Sequence, residues 1–187
     1  VVCMHPGAGN EMKQWPAEHF VALIDLLVPE FGVNVLLIGG AEETEISRQI
    51  IADVHQRAAV HSAVGEVPLS GLARLLAECA LFVGNDSGPK HIAAAVGTPT
   101  IGIHSGTVDP TEWAPVGPSA VAVARKMTCS PCYLNRLADC PRELACIRQL
   151  DPGAVFSVCR RLLMREPRLP RFAGSAIRHH PTRHSPG

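Results

Sequence analysis

Short apolar runs alternate along this chain with segments whose apolar residues recur every three to four positions. That alternation predicts strands interleaved with amphipathic helices. Val1 to His5 reads as a strand, followed by the small loop Pro6-Gly7-Ala8-Gly9-Asn10. Pro16 opens a helix through about Leu27, with Phe20, Leu23, Ile24 and Leu27 on one face. Val33 to Ile38 predicts a buried strand ended by Gly39-Gly40. Glu42 to Val54 is predicted helical, with Ile46, Ile50 and Ile51 inward. A helix over Leu69 to Glu78 precedes a strand at Leu81 to Gly84, and a helix over Gly88 to Val96 precedes a strand at Thr100 to His104. Ser119 to Ala124 is the last strand, and Asp151 to Met164 a closing helix with Pro152 in its first turn. Such alternation implies an α/β fold, a doubly wound parallel sheet covered on both faces, with ligands at the carboxyl ends of its strands. One ordered domain is expected over residues 1–166, and a disordered tail over 167–187, where Arg, His, Pro, Ser and Gly follow no period.

Composition narrows this picture. The chain has 187 residues, 47% hydrophobic and 18% charged, enough for one domain with its own core. The formal net charge is zero, so no basic face marks nucleic acid as the main partner. No apolar run is long enough to span a bilayer, and the opening Val1-Val2-Cys3-Met4-His5 is no signal peptide. Without an initiator Met, a start inside a strand leads us to expect a fragment of a longer protein. Seven cysteines and no secretion signal point to a reducing, cytoplasmic compartment. Cys3, Cys79 and Cys159 lie in apolar segments and read as buried fillers.

Three glycine-bearing loops follow predicted strands and carry the candidate chemistry. In Gly84-Asn85-Asp86-Ser87-Gly88-Pro89-Lys90-His91 a strand turns tightly into a helix. The free amides at Ser87 and Gly88 and the positive helix end suit an anion such as a diphosphate. Asp86 can accept hydrogen bonds from sugar hydroxyls, and His91 points back from the first turn; alternatively Asp86 or Ser87 merely caps the helix. In the first loop Gly7-Ala8-Gly9 leaves room for phosphate and Lys13 can neutralise it, although a lone lysine is more often simply solvated. Trp15 reads as a core anchor. In the third loop, Glu42 of Gly39-Gly40-Ala41-Glu42-Glu43 suits a ribose, or equally the first turn of a helix.

These strings in this order, with Leu72-Ala73-Arg74-Leu75-Leu76, Gly97-Thr98-Pro99-Thr100 and Trp113-Ala114-Pro115-Val116-Gly117, resemble the C-terminal domain of glycosyltransferase family 9, the heptosyltransferases of lipopolysaccharide synthesis. The resemblance covers roughly Val1 to Met164. It implies a Rossmann-like fold, the C-terminal half of a GT-B glycosyltransferase, binding a nucleoside-diphosphate sugar. It implies Lys13 at the donor diphosphate with the backbone of Gly7 and Ala8 beside it, Glu42 at the ribose and Val67 near the base. Asp86 would hold the sugar, and Ser87, Gly88 and His91 the diphosphate. The implied reaction is inverting transfer of a heptose-like sugar to a glycan or lipid-linked acceptor, with no cofactor required for the chemistry. The catalytic base would be a carboxylate of an N-terminal domain, so none is assigned here and this chain alone would not turn over. Peripheral association with the inner membrane face fits such an acceptor. The family's usual F-G-P-T-D-P string is replaced by His104-Ser105-Gly106-Thr107-Val108-Asp109-Pro110, which leaves the sugar open.

A fourth feature is Cys129-x2-Cys132-x7-Cys140-x5-Cys146, a Cys-rich loop at 129–146. Four thiols in eighteen residues can enclose a structural zinc. An iron–sulfur cluster, two disulfides or four free thiols are the alternatives. His19, His55 and His61 read as surface or helix-flank residues, and His179, His180 and His184 fall in the tail. Two other functions stay open on sequence alone: a sugar-nucleotide epimerase of GT-B architecture, and a non-catalytic interaction module using the cysteine loop and basic tail.

Overall fold

A computed structural model of the chain describes residues 1–164. Six strands, β1 (Val2–His5), β2 (Val35–Leu37), β3 (Val60–Ser62), β4 (Leu81–Asn85), β5 (Thr100–His104) and β6 (Ala120–Ala124), form one sheet in the order β3-β2-β1-β4-β5-β6. Every pairing is parallel. The chain thus winds outward from β1 in one direction and from β4 in the other, the doubly wound arrangement expected. Its switch point lies between the carboxyl ends of β1 and β4, where His5 pairs in register with Gly84.

Alternation within the strands builds two cores. Val2 and Met4 of β1, with Leu81 and Val83 of β4, face a cluster holding Trp15, Phe20, Leu23, Ile24 and Leu27. Cys3 and Phe82 face the other way, onto Leu72, Leu76 and Ala93. The first cluster is closed by helices α1 (Ala17–Phe31), α2 (Thr44–Asp53) and, at the chain's far end, α7 (Pro152–Leu163). The second is closed by α3 (Leu69–Ala77) and α4 (Gly88–Ala95). Trp15 is the core anchor expected: it is fully buried and its indole N–H donates to the Leu150 carbonyl at 3.0 Å. α7 starts at Pro152 as expected, and Asp151 caps it by accepting from Ala154 N–H. Among the described residues no helix is long and apolar enough to cross a membrane.

Several boundaries differ from the sequence expectation. α1 runs on to Phe31 rather than ending at Leu27, with Pro29 carried inside its last turn; Gly32 at φ 60° then ends it. The strand expected over Val33 to Ile38 is ordered as β2 only over its central three residues. The helix expected from Glu42 begins as a 3-10 turn at Ala41–Glu43, and Ser47 is buried where Ile46 and Ile51 are only half-buried. β3 and two one-turn helices, α5 (Pro110–Trp113) and α6 (Ala145–Arg148), had no periodicity long enough to announce them. Cys3 and Cys159 are buried fillers as expected, whereas Cys79 is only half-buried. The expectation for the tail, 167–187, lies outside the described residues.

Candidate functional site

At the switch point, Asn85 ties the two strand ends together. It is fully buried, its Nδ2 donates to the Pro6 carbonyl at 2.7 Å and its Oδ1 accepts from Trp15 N–H at 3.1 Å. These bonds set the course of the first loop from Pro6 through the 3-10 turn at Glu11–Lys13. Lys13 is thereby carried over the end of β4, where its Nζ donates to Asp86 Oδ2 at 2.7 Å.

Asp86 is the hub of the site. Its other oxygen accepts from the ammonium of Lys90, in the first turn of α4. Lys90 is wholly buried, whereas the Lys13 side chain keeps 28% of its surface exposed. Burial by itself pushes the Asp86 carboxyl up; the hydrogen bonds from Lys13 and Lys90 outweigh it and hold the carboxyl below its ordinary range. Lys90 is pushed below the ordinary lysine range by burial, with the Asp86 charge opposing. The sequence motif contains Lys90 without assigning it a role. The available signal was spacing: a carboxylate before a helix and a lysine four residues on share one face.

The reading of Ser87 as a plain helix cap is not what the structure shows. Ser87 stands at the N-cap of α4 in extended conformation, yet its side chain makes no capping bond. Its hydroxyl is hydrogen-bonded to His5 Nδ1 at 3.1 Å and donates to the Asn85 carbonyl at 3.2 Å. With Asp86 engaged by two lysines, the first amides of α4 are left without a side-chain cap. Gly88 is exposed there, with open space where a Cβ would stand, and His91 is exposed in the first turn.

Glu42 and Glu43 divide their duties. Glu43, which the sequence reading left without a role, is buried; its carboxylate accepts from Gly40 N–H at 2.7 Å and presses on Gly7 and Gly39, where any Cβ would overlap it. Burial raises its pKa. The small residues of the first loop therefore make room for a side chain as well as for a phosphate. Glu42 stays exposed, and its charge reaches His5. Ala8 is half-buried, its carbonyl accepting from Gln14 Nε2. Val67 is half-buried against the Leu72–Phe82 core and lines an apolar groove with Leu36, Gly71 and Leu75. The loops thus bring Gly7, Lys13, Asp86, Ser87, Gly88 and His5 together, with Glu42 at the edge and Val67 in the loop that leads into α3.

Two further histidines colour the site. His5 is held down to about 4 by burial, with Gly7 and Glu42 opposing. His104, at the end of β5, is fully buried with both ring nitrogens unpartnered, and burial lowers it to about 4 despite the opposing charge of Asp86. Both rings are neutral near pH 7. Of the flanking histidines, His55 and His61 are exposed as expected, while His19 is half-buried against Trp15.

The cysteine-bearing loop packs beside the β5 loop. Cys146 is buried, Cys132 and Cys140 half-buried and Cys129 exposed, and all are free thiols. Among the described residues no group of three or more His, Cys, Asp or Glu side chains is arranged to hold a metal ion.

The profile of glycosyltransferase family 9 (heptosyltransferase) matches residues 1–138. The chain belongs to glycosyltransferase family 9. This family 9 chain is 35% identical over 102 residues, 53% of its length and 29% of the relative's, to lipopolysaccharide heptosyltransferase 2 of Escherichia coli K12. It is 28% identical over 171 residues to lipooligosaccharide heptosyltransferase 2 of Campylobacter jejuni, covering 87% of this chain and 51% of the relative. The solved E. coli ADP-heptose lipopolysaccharide heptosyltransferase II superposes with TM-score 0.72 at 27% identity, covering 87% of this chain and 46% of that one. A family 9 structure from Veillonella parvula superposes with TM-score 0.71 at 22% identity, covering 88% and 46%. The chain spans about half or less of the length of these relatives.

Acid should weaken this fold in two windows. A histidine whose folded pKa lies near 4 binds fewer protons than the unfolded chain, so its contribution is complete above about pH 6.5 and is lost as pH falls toward 4. For His104 the loss is about 3 kcal/mol. His104→Leu is expected to flatten denaturant-measured stability between pH 6.5 and 4; an unchanged slope would contradict the buried neutral ring. Asp86 acts lower: its depressed carboxyl stabilises above the ordinary carboxylate pKa, and this is lost as pH falls through the folded value. In Lys90→Met the Asp86 carboxyl should titrate at higher pH, read by carbon-detected NMR. An unmoved titration would show that the buried pair does not govern it.

Proposed function

We propose that this chain is the donor-binding half of an inverting glycosyltransferase that moves a heptose-like sugar from a nucleoside diphosphate to a lipopolysaccharide or other glycan acceptor. One observation carries the reading: the N-terminus of α4 has no side-chain cap and opens beside two lysines that share one carboxylate. Two ammonium groups against one carboxylate leave one positive charge over, next to a helix end whose amides point outward. A diphosphate is the anion that suits both. Membership of family 9 favours a transferase over an epimerase or a non-catalytic module, and the likeness to the E. coli ADP-heptose enzyme favours an adenine nucleotide.

In transfer, an acceptor hydroxyl attacks the anomeric carbon and the nucleoside diphosphate leaves. The base that takes the hydroxyl proton is contributed from outside this chain, by the other half of the cleft. What this half supplies is stabilisation of the leaving diphosphate. Lys13, the more exposed lysine, swings from Asp86 to the phosphates, with the amides at Ser87 and Gly88, the backbone of Gly7 and Ala8, and His91 alongside. Lys90 stays behind and keeps Asp86 ionised, so that Asp86 is free to accept from sugar hydroxyls. Glu42 takes the ribose hydroxyls and the Val67 end of the crevice the base. The acceptor places this activity at the cytoplasmic face of the inner membrane, peripherally bound.

The four cysteines of 129–146 serve structure in this reading, as ligands of one zinc. The support is chemical: four soft thiols fall within eighteen residues, and the Cys132, Cys140 and Cys129 thiols are close enough to oppose ionisation of Cys146, although the four are not gathered around one point. The Leu144 N–H already points at Cys140 Sγ, 3.4 Å away. Left-handed residues follow Cys132 and Cys140, at Tyr133, Glu143 and Leu144. Drawing the sulfurs into a tetrahedron would supply ordering energy that this polar loop lacks.

Calorimetry tests the donor site. Asp86→Asn should keep or raise ADP affinity, because Lys13 is released, while ADP-heptose loses about 1.5–3 kcal/mol of its advantage over ADP. Equal changes for both ligands would misplace Asp86. Metal analysis of chain purified without added zinc tests the cysteines: one zinc per chain, lost in Cys132→Ser, is expected, and metal-free protein with an ordered loop would refute it.

A further inference from the structure

Between the first loop and the cysteine-bearing loop lies a hollow of about 360 Å³ that no step above uses. Its walls include Asn10, Lys13, Thr107, Trp113, Tyr133 and Asn135. We infer that this hollow is a pyranose subsite, with Trp113 and Tyr133 as its stacking walls. The inference rests on the donor-site reading for its direction: Lys13, whose ammonium reaches Asp86, forms one side of the hollow.

Three features point to a sugar. Trp113 is 52% and Tyr133 55% exposed, a display of large rings beside a crevice of mixed lining, polar at Asn10, Lys13 and Asn135 and apolar at Val108 and Leu134. Rings of this kind meet the C–H face of a pyranose, while the amides of Asn10 and Asn135 and the ammonium of Lys13 meet its hydroxyls and the attached phosphate. The volume is in the range of small-ligand pockets. Tyr133, moreover, is held there against its backbone preference. It sits at φ 52°, a left-handed conformation costly for an aromatic residue. Its N–H donates to the Thr107 carbonyl at 2.7 Å and its hydroxyl to Glu112 Oε1 at 3.1 Å, which fixes the ring beside the α5 helix that carries Trp113. Gly106 lets the two loops close: a Cβ there would overlap Ser130 and crowd Cys146, and the Gly106 carbonyl accepts from Cys132 N–H at 3.1 Å. The departure from the family's string at His104 to Pro110 thus forms part of the wall of this hollow.

The chain carries its own probe. It has two tryptophans, and Trp15 is fully buried, so acrylamide quenching reports Trp113. Quenching of the whole chain is measured with ADP, ADP-glucose, ADP-heptose and methyl heptoside. Protection by a sugar conjugate and not by ADP is expected, and places the donor's sugar in the hollow. Protection by methyl heptoside alone also supports a pyranose site and assigns it to an acceptor sugar. Tyr133→Ala should weaken the protecting ligand by about three- to tenfold and leave ADP affinity unchanged. Trp113→Phe should abolish the signal. If ADP binds and no sugar, tethered or free, shields Trp113, the subsite is refuted while the donor reading stands. If ADP does not bind, the donor reading fails, and methyl heptoside decides the subsite by the same criterion.

Discussion

A carboxylate held between two lysines at the switch point of the sheet is the constraint on which the rest depends. Asp86 is nearly buried, and it is tolerable there only because Lys13 and Lys90 reach it from opposite sides. Lys13 arrives from the β1 loop and Lys90 from α4, so the ion cluster joins the two halves of a doubly wound fold. The cluster carries one surplus positive charge. The neighbouring histidines, His5 and His104, stay neutral near pH 7 and add nothing to that charge. This count, together with the uncapped end of α4, is what supports the proposed anion site.

The same economy governs the glycines. Gly7 and Gly39 leave a cleft that Glu43 fills, and Glu43 in turn satisfies the Gly40 amide. One acidic residue of the pair is consumed in shaping the loop, while Glu42 stays at the surface. Asn85 performs the corresponding task on the other side, fastening the first loop to β4. The loops that face the crevice are therefore set by buried polar contacts, and their exposed residues remain free for a ligand.

The cysteine-bearing segment stands on different footing. It hangs on the β5 loop through backbone bonds from Cys132 and Tyr133 to Gly106 and Thr107, with little regular structure of its own. Its order matters to the crevice because it carries Tyr133. A metal on the four thiols and an aromatic wall of the hollow would be two consequences of one loop conformation.

Local pattern alone determined much of this protein. The alternation of apolar runs with helical periodicity implied a parallel doubly wound sheet, and the glycine-bearing loops after β1, β2 and β4 marked its carboxyl edge. Pro16 and Pro152 signalled helix starts, because such signals act on the backbone of their immediate neighbours. Short elements escaped: β3 and α5 offer too few residues for a period to show. Partnerships across the chain were decided only by the tertiary structure. Lys13 and Asp86 are 73 residues apart in sequence and meet because β1 and β4 pair in parallel register. Lys90 turns inward rather than into solvent because Asp86 lies four residues before it, and Glu43 rather than Glu42 is buried because the space beside Gly7 is on its side of the turn. Trp113 and Tyr133 share a hollow because the loop after β6 folds back along the loop after β5. A sequence states which side chains are available; which charges must share one desolvated volume depends on the register of strands that it encodes only collectively.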